Sequence, residues 1–219
     1  MIRGVRVTIL LGYFFIAVAF GAAGRSIGLA AVPTAGFSVF VFAGASQFMA
    51  VSLLGQATGL VPIILATLVL NFRHFVMSMA LRDRIVGTSV PRPLLAFGIT
   101  DEVFTAAATH RGPVRDTDLL ATEAYAYGGW VAGTIAGYFA GGFLPPQVEQ
   151  AMGISLYAMF VALIVPSIVR FPRYAVPALA SGGLNWLLQT VGVSVGLALL
   201  VAIPVTAILF ALQPGWSEP

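Results

Sequence analysis

Residues 26–72 contain no charged side chain, and the first charge to follow, Arg73, lies well inside an apolar segment. The run is too long for one helix and too unbroken to coat a domain that faces water. It belongs to a stretch, 36–84, with a small polar core at Gly44-Ala45-Ser46-Gln47 and a second apolar run ending in Asn71-Phe72-Arg73-His74. A soluble core has no need of this combination. A membrane protein that presents polar groups to a solute at bilayer depth does.

Composition agrees. Soluble domains carry about 25% charged residues; this chain carries 9%, with a mean hydropathy of +0.97. The fold class is therefore an all-α integral membrane protein. Cysteine is absent, which excludes a disulfide framework and thiolate chemistry. Every basic residue is arginine, which a GC-rich genome explains more simply than function. The net charge of +3 falls in connecting segments and carries topology information rather than a nucleic-acid footprint.

A hydrocarbon core about 30 Å thick takes roughly 20 apolar residues per helix. About seven membrane segments are expected in one transmembrane domain over 1–219: 7–24, 36–54, 60–81, 124–144, 151–169, 176–188 and 193–212. The sixth is short and holds Pro177 and Ser181-Gly182-Gly183, so it is expected to be discontinuous. Between the halves, 85–123 is a polar linker. Its segment 94–109, interrupted by Asp101-Glu102, reads as an interfacial or re-entrant helix. Ala17-Val18-Ala19 resembles a signal-peptidase site, yet a repeat uses that segment as structure.

At an offset of 117, Gly12-Tyr13 falls on Gly129-Trp130 and 36–40 falls on 153–157; at 114, Asn71-Phe72 falls on Asn185-Trp186. Repeats over 7–84 and 124–190, with an extra helix at 193–212, give three plus three spans. An odd span count per copy makes the repeat inverted, as in many secondary transporters. If every segment crosses, the arginine bias places the N-terminus outside and the C-terminus in the cytoplasm. That orientation fails if 36–54 is re-entrant.

Polar residues inside apolar segments are the candidate solute path. Gly44, Ala45 and Ser46 suggest a loosened helix exposing backbone groups, or equally a small-residue helix contact with Ser46 bonded back to its own helix. The Gln47 amide needs several partners and reads as functional. Arg73 pairs with Asp101 or Glu102 if 94–109 folds into the bundle; otherwise it snorkels to the interface. His74 is a candidate proton carrier or a static hydrogen-bonding group. Asn71 shares its helix, and Ser181 and Asn185 are the second repeat's contribution. Gly128, Gly129, Gly133, Gly137 and Gly141 form a small-residue surface for this chain's core or for a partner. Only two histidines occur, with no metal-ligand spacing and no nucleophile elbow, so neither an enzyme nor a metal or cofactor site is expected.

At Phe42-Ala43-Gly44-Ala45-Ser46-Gln47-Phe48, Leu70-Asn71-Phe72-Arg73-His74, Leu81-Arg82-Asp83-Arg84 and Thr100-Asp101-Glu102 the chain resembles the AzlC family. These are the large subunits of bacterial branched-chain amino acid exporters, and the resemblance runs over nearly the whole length. Phe72 departs mildly from the leucine more usual in the family. The resemblance implies a multi-pass inner-membrane permease exporting valine, leucine, isoleucine or methionine with a small AzlD-like membrane subunit. A zwitterion needs an anion site and a cation site, which half-helix ends supply, plus an apolar pocket that Phe40, Phe42, Phe48 and Met49 could line. A channel-like permease subunit is the alternative.

Overall fold

The computed structural model describes residues 2–143, 161, 164–165 and 168–213. Among them the helices are α1 (Arg6–Ser26), α2 (Ala31–Phe40), α3 (Gly44–Gly55), α4 (Leu60–Leu81), α5 (Arg92–Gly98) and α6 (Asp101–Ala108). After them come α7 (Asp116–Ala140), α8 (Ala175–Thr190) and α9 (Val195–Ala211). Two short strands, β1 (Ile85–Val86) and β2 (Val114–Arg115), pair in parallel.

The most extensive pairing is α1 on α7. Gly129, Gly133 and Gly137, one turn apart on α7, lie against the backbone carbonyls of Leu10, Phe14 and Val18, so a methyl at any of them would overlap α1. Gly21 returns the contact against the Thr134 carbonyl. The glycine ridge thus serves the chain's own core, while Gly128 faces open space. Arg6 pairs with Asp118 at 3.1 Å near one end, and the Tyr138 hydroxyl donates to the Leu29 carbonyl near the other.

Residue numbers rise together along this contact, so α1 and α7 run parallel. An inverted repeat that equates the two helices would make them antiparallel. That expectation is corrected here, and its physical cause is the behaviour of 36–54.

The segment 36–54 is not a span. It is a hairpin of two half-helices, of about 15 and 18 Å at 1.5 Å per residue. Going inward along α2, Thr34 lies against Gly24, Ser38 bonds Thr134 at 2.6 Å, and the Val39 carbonyl accepts from Tyr127. The chain turns at 41–43, where Phe42 adopts a left-handed φ of 43°. Then α3 returns, with Phe48 on Phe20 and Gly55 against Ile27 at the end of α1. The hairpin enters and leaves at the end of the bundle where α1 ends.

Beyond the turn at 56–59, α4 packs back on α3 through Ala50, Leu53, Ile63 and Ala66 and runs the full depth. The segment 94–109 then repeats the trick from the opposite end. Just before α5, Val90 lies at Asp116; along α5, the Phe97 ring lies at Tyr127 and Gly98 at Glu123. The chain turns at Ile99-Thr100 and α6 returns until the Ala108 carbonyl accepts from Arg84. Of the two readings open for this segment, the re-entrant one is seen.

Arg6, Arg82, Arg84, Arg92, Arg111 and Arg115 therefore gather at the end where α1 begins, and Arg25 lies at the other. The positive-inside rule makes the first end cytoplasmic. The N-terminus-outside expectation required 36–54 to cross, and with that segment re-entrant these arginines point the other way.

The sixth expected segment is also corrected: α8 is continuous through Pro177 and Ser181-Gly182-Gly183. Pro177 sits in its first turn, where the missing N–H costs nothing. It packs on α9, which packs on α4. The fifth expected segment, 151–169, lies almost entirely outside the described residues.

Candidate functional site

The two hairpin tips meet in mid-bundle. The N-termini of α3 and α6 point at a small cavity of about 30 Å³, room for a water or two. Its walls include Gly44 and Ala45 from one tip, Thr100, Asp101 and Glu102 from the other, Arg73 and His74 from α4, and Tyr13 and Trp130 from the central pair.

The Arg73 guanidinium stands 3.0 Å from the Asp101 carboxylate, so the pairing offered by the sequence forms and ties α4 to α6. The Tyr13 hydroxyl donates to Glu102 and shares a 2.6 Å hydrogen bond with the Thr100 hydroxyl. Trp130 Nε1 and Arg73 Nε are buried without a hydrogen-bond partner. Unsatisfied donors at a cavity wall are costly and mark groups held for something that enters.

Gln47 and Ser46 do something else. The Ala43 backbone N–H donates to Gln47 Oε1 at 3.0 Å, and Gln47 Nε2 donates to Ser38 Oγ at 3.2 Å. Ser38 in turn bonds Thr134 of α7. Gln47 thus fastens the hairpin tip to the central helix rather than lining the cavity. Ser46 donates back to the Ala43 carbonyl at 2.9 Å, the back-bonded alternative. Gly44 is small because Trp130 occupies the space its side chain would take.

Asn71 lies on α4 near the cavity without lining it, its Oδ1 unpartnered. Ser181 and Asn185 are not brought to the cavity: α8 contributes no buried residue. The 153–157 counterpart lies outside the described residues. None of Phe40, Phe42, Phe48 and Met49 lines the cavity; Phe40 is 81% exposed, and Phe48 packs on Phe20.

The residues that sequence reasoning passed over are Tyr13, Ile16 and Trp130. A signal existed, because Tyr13 and Trp130 are the pair equated by the 117-residue offset, and their rings touch at 5.6 Å. Among the described residues, no group of three or more His, Cys, Asp or Glu is placed to hold a metal ion.

A family model described as AzlC protein matches residues 8–144, which hold α1, both hairpins, α4 and α7. The chain belongs to the AzlC family. AzlC relatives include the inner membrane protein YgaZ of Escherichia coli, 31% identical over 95% of this chain and 88% of its own. An uncharacterized membrane protein of Archaeoglobus fulgidus is 34% identical over 80% of this chain and 77% of its own. The branched-chain amino acid transport protein AzlC of Bacillus subtilis is 26% identical over 73% of this chain and 63% of its own. No solved structure matches. Like these relatives, this AzlC chain is a membrane protein, and its place is the bacterial inner membrane.

Proposed function

We propose that the chain is a secondary-active transporter that exports branched-chain amino acids by alternating access, assisted by a small AzlD-like membrane subunit. The observation that carries this reading is the small polar cavity between two re-entrant tips that enter from opposite ends. Broken helices meeting at mid-depth are how transporters bring backbone dipoles to a solute.

An amino acid fits the chemistry once the cavity widens. The free backbone N–H groups at Gly44 and Ala45 favour a carboxylate, as the positive end of α3 does. Glu102 and the Tyr13 hydroxyl accept from an ammonium, and Ile16 with the Trp130 ring offers an apolar wall. Gly44, Ala45, Arg73, His74, Asp101 and Glu102 are the proposed contact residues. Ser46, Gln47 and Asn71 support them from behind the wall. Valine, leucine and isoleucine are proposed by likeness to the branched-chain amino acid transport protein of Bacillus subtilis. A channel-like permease is the competing outcome.

The test is efflux of labelled leucine from cells carrying the gene with and without a neighbouring small membrane subunit. Saturable, counter-exchanged efflux supports the proposal. Linear, unsaturable flux replaces it with a channel.

A further inference from the structure

Glu123 on α7 is 3% exposed, and neither of its carboxylate oxygens has a hydrogen-bond partner. It lies at the base of a second pocket of about 310 Å³, open at the surface, separate from the first and lined by Phe42, Leu94, Phe97, Leu120 and Tyr127. Gly98 of α5 makes room for it: a β-carbon there would lie 2.5 Å from the Glu123 carboxyl carbon and 2.7 Å from its Cβ. The Phe42 ring divides this cavity from Tyr13 and the first one, packing 5.1 Å from Tyr127 and 6.2 Å from Tyr13.

Among the described residues, nothing nearby offsets a negative charge. On α5 the only charge, Arg92, bonds the Ile85 and Gly87 carbonyls. On α1, Arg6 is held by Asp118 and Thr122, and Tyr13 by Glu102. On α6, Asp101 is taken by Arg73. On α7 itself, Asp116 is spent on the backbone of Ser89 and Val90, Tyr125 is exposed, and Tyr127 donates to the Val39 carbonyl. The facing part of α2 has no titratable residue. An isolated carboxylate in such walls is strongly disfavoured. A metal cation needs several oxygen ligands, and this wall supplies one carboxyl group.

We propose that Glu123 is a proton-binding site of the transport cycle, set apart from the substrate cavity by the Phe42 ring. The inference rests on the transporter reading given above. Binding joins one proton to a carboxylate oxygen, turning a charged group into a neutral acid; release restores the charge when α5 moves off α7 and water reaches the carboxyl group. Nothing else is consumed. With the proton on, the α5–α7 contact closes at no electrostatic cost, so closure and proton binding are linked.

The experiment uses membrane vesicles containing the full chain and its partner, with labelled leucine and an imposed pH gradient. In Glu123→Gln, leucine–leucine exchange is expected to persist but to lose its pH dependence, and gradient-driven accumulation to fall at least tenfold. Glu123→Asp is expected to recover part of it. Accumulation by Glu123→Gln equal to that of the wild type overturns the proposal. A second readout is independent of flux: infrared difference spectra of the purified protein during alkaline titration. The wild type is expected to lose a protonated-carboxyl C=O band that Glu123→Gln lacks; identical spectra overturn the site. Absence of saturable flux in the wild type sinks the transporter reading alone, and the infrared band still decides Glu123.

Discussion

The Arg73 guanidinium lies 3.0 Å from the Asp101 carboxylate, joining the middle of α4 to the first residue of α6 across the cavity. The pair links a re-entrant tip to a full-length helix through side-chain charge. Each side chain is 27% exposed, so the link is neither fully screened nor fully desolvated.

Removing one partner leaves a charge partly buried and alone, which costs more than the intact pair contributes. Arg73→Ala and Asp101→Asn are each expected to lower leucine efflux at least tenfold. The exchanged pair Arg73→Asp with Asp101→Arg is expected to recover part of that loss. Efflux assays on cells with matched protein levels check this, and no recovery in the exchanged pair would assign the residues separate roles.

The glycine ridge of α7 predicts a sharp positional contrast. Gly133→Leu forces a side chain into the α1 backbone, with an expected cost of about 1–3 kcal/mol or failure to accumulate. Gly128→Ala meets open space and is expected to be neutral. Thermal unfolding in detergent separates them, and equal melting temperatures would contradict the parallel α1–α7 contact.

Re-entrance is directly testable because the chain has no cysteine, so introduced thiols read without background. Ser26→Cys and Gln56→Cys are expected to react with an impermeant reagent from the same, periplasmic side. Thr88→Cys and Thr109→Cys are expected to react only from the cytoplasm. Labelling of Ser26→Cys and Gln56→Cys from opposite sides would restore 36–54 as a span.

Asp116 predicts an acid dependence. Burial alone would raise its carboxyl, but the backbone N–H groups of Val90, Thr117 and Ser89, with Arg92 nearby, outweigh that and hold it below the ordinary 3.8. A lowered folded value contributes stability that is complete above the unfolded value and lost as pH falls through the folded one. The melting-temperature gap between wild type and Asp116→Asn is therefore expected to be constant above 3.8 and to shrink below it. A gap that widens on acidification would show the sign to be wrong.

Much of this was legible in the residues. The membrane class followed from charge content, because so few charges cannot cover a surface in water. The helices at 60–81 and around 7–24, the packing role of the glycines and the Arg73–Asp101 pair followed from spacing and from the cost of a lone charge in lipid. The site motifs Gly44-Ala45, Arg73-His74 and Thr100-Asp101-Glu102 do meet at one cavity. Gln47 bonds Ala43 and Ser38, and in sequence an amide that needs partners looks the same whether a solute or a hairpin supplies them.

Whether an apolar segment crosses the bilayer was decided only by the tertiary structure. Hydropathy counts apolar residues, and a hairpin of two half-helices buries as many as one span of the same length. The turn that distinguishes them falls on Phe42, whose left-handed backbone no glycine announces. It is held instead by a local bond from the Ala43 N–H to Gln47 and by long-range contacts: Ser38 to Thr134, and the Phe42 ring on Tyr13, Phe97 and Tyr127. One reversal at that residue makes α1 and α7 parallel, moves most of the arginines to one end, and brings two helix N-termini to the same point. Local sequence specifies the apolar segments, while their path through the membrane depends on partners that lie about ninety residues apart in the chain.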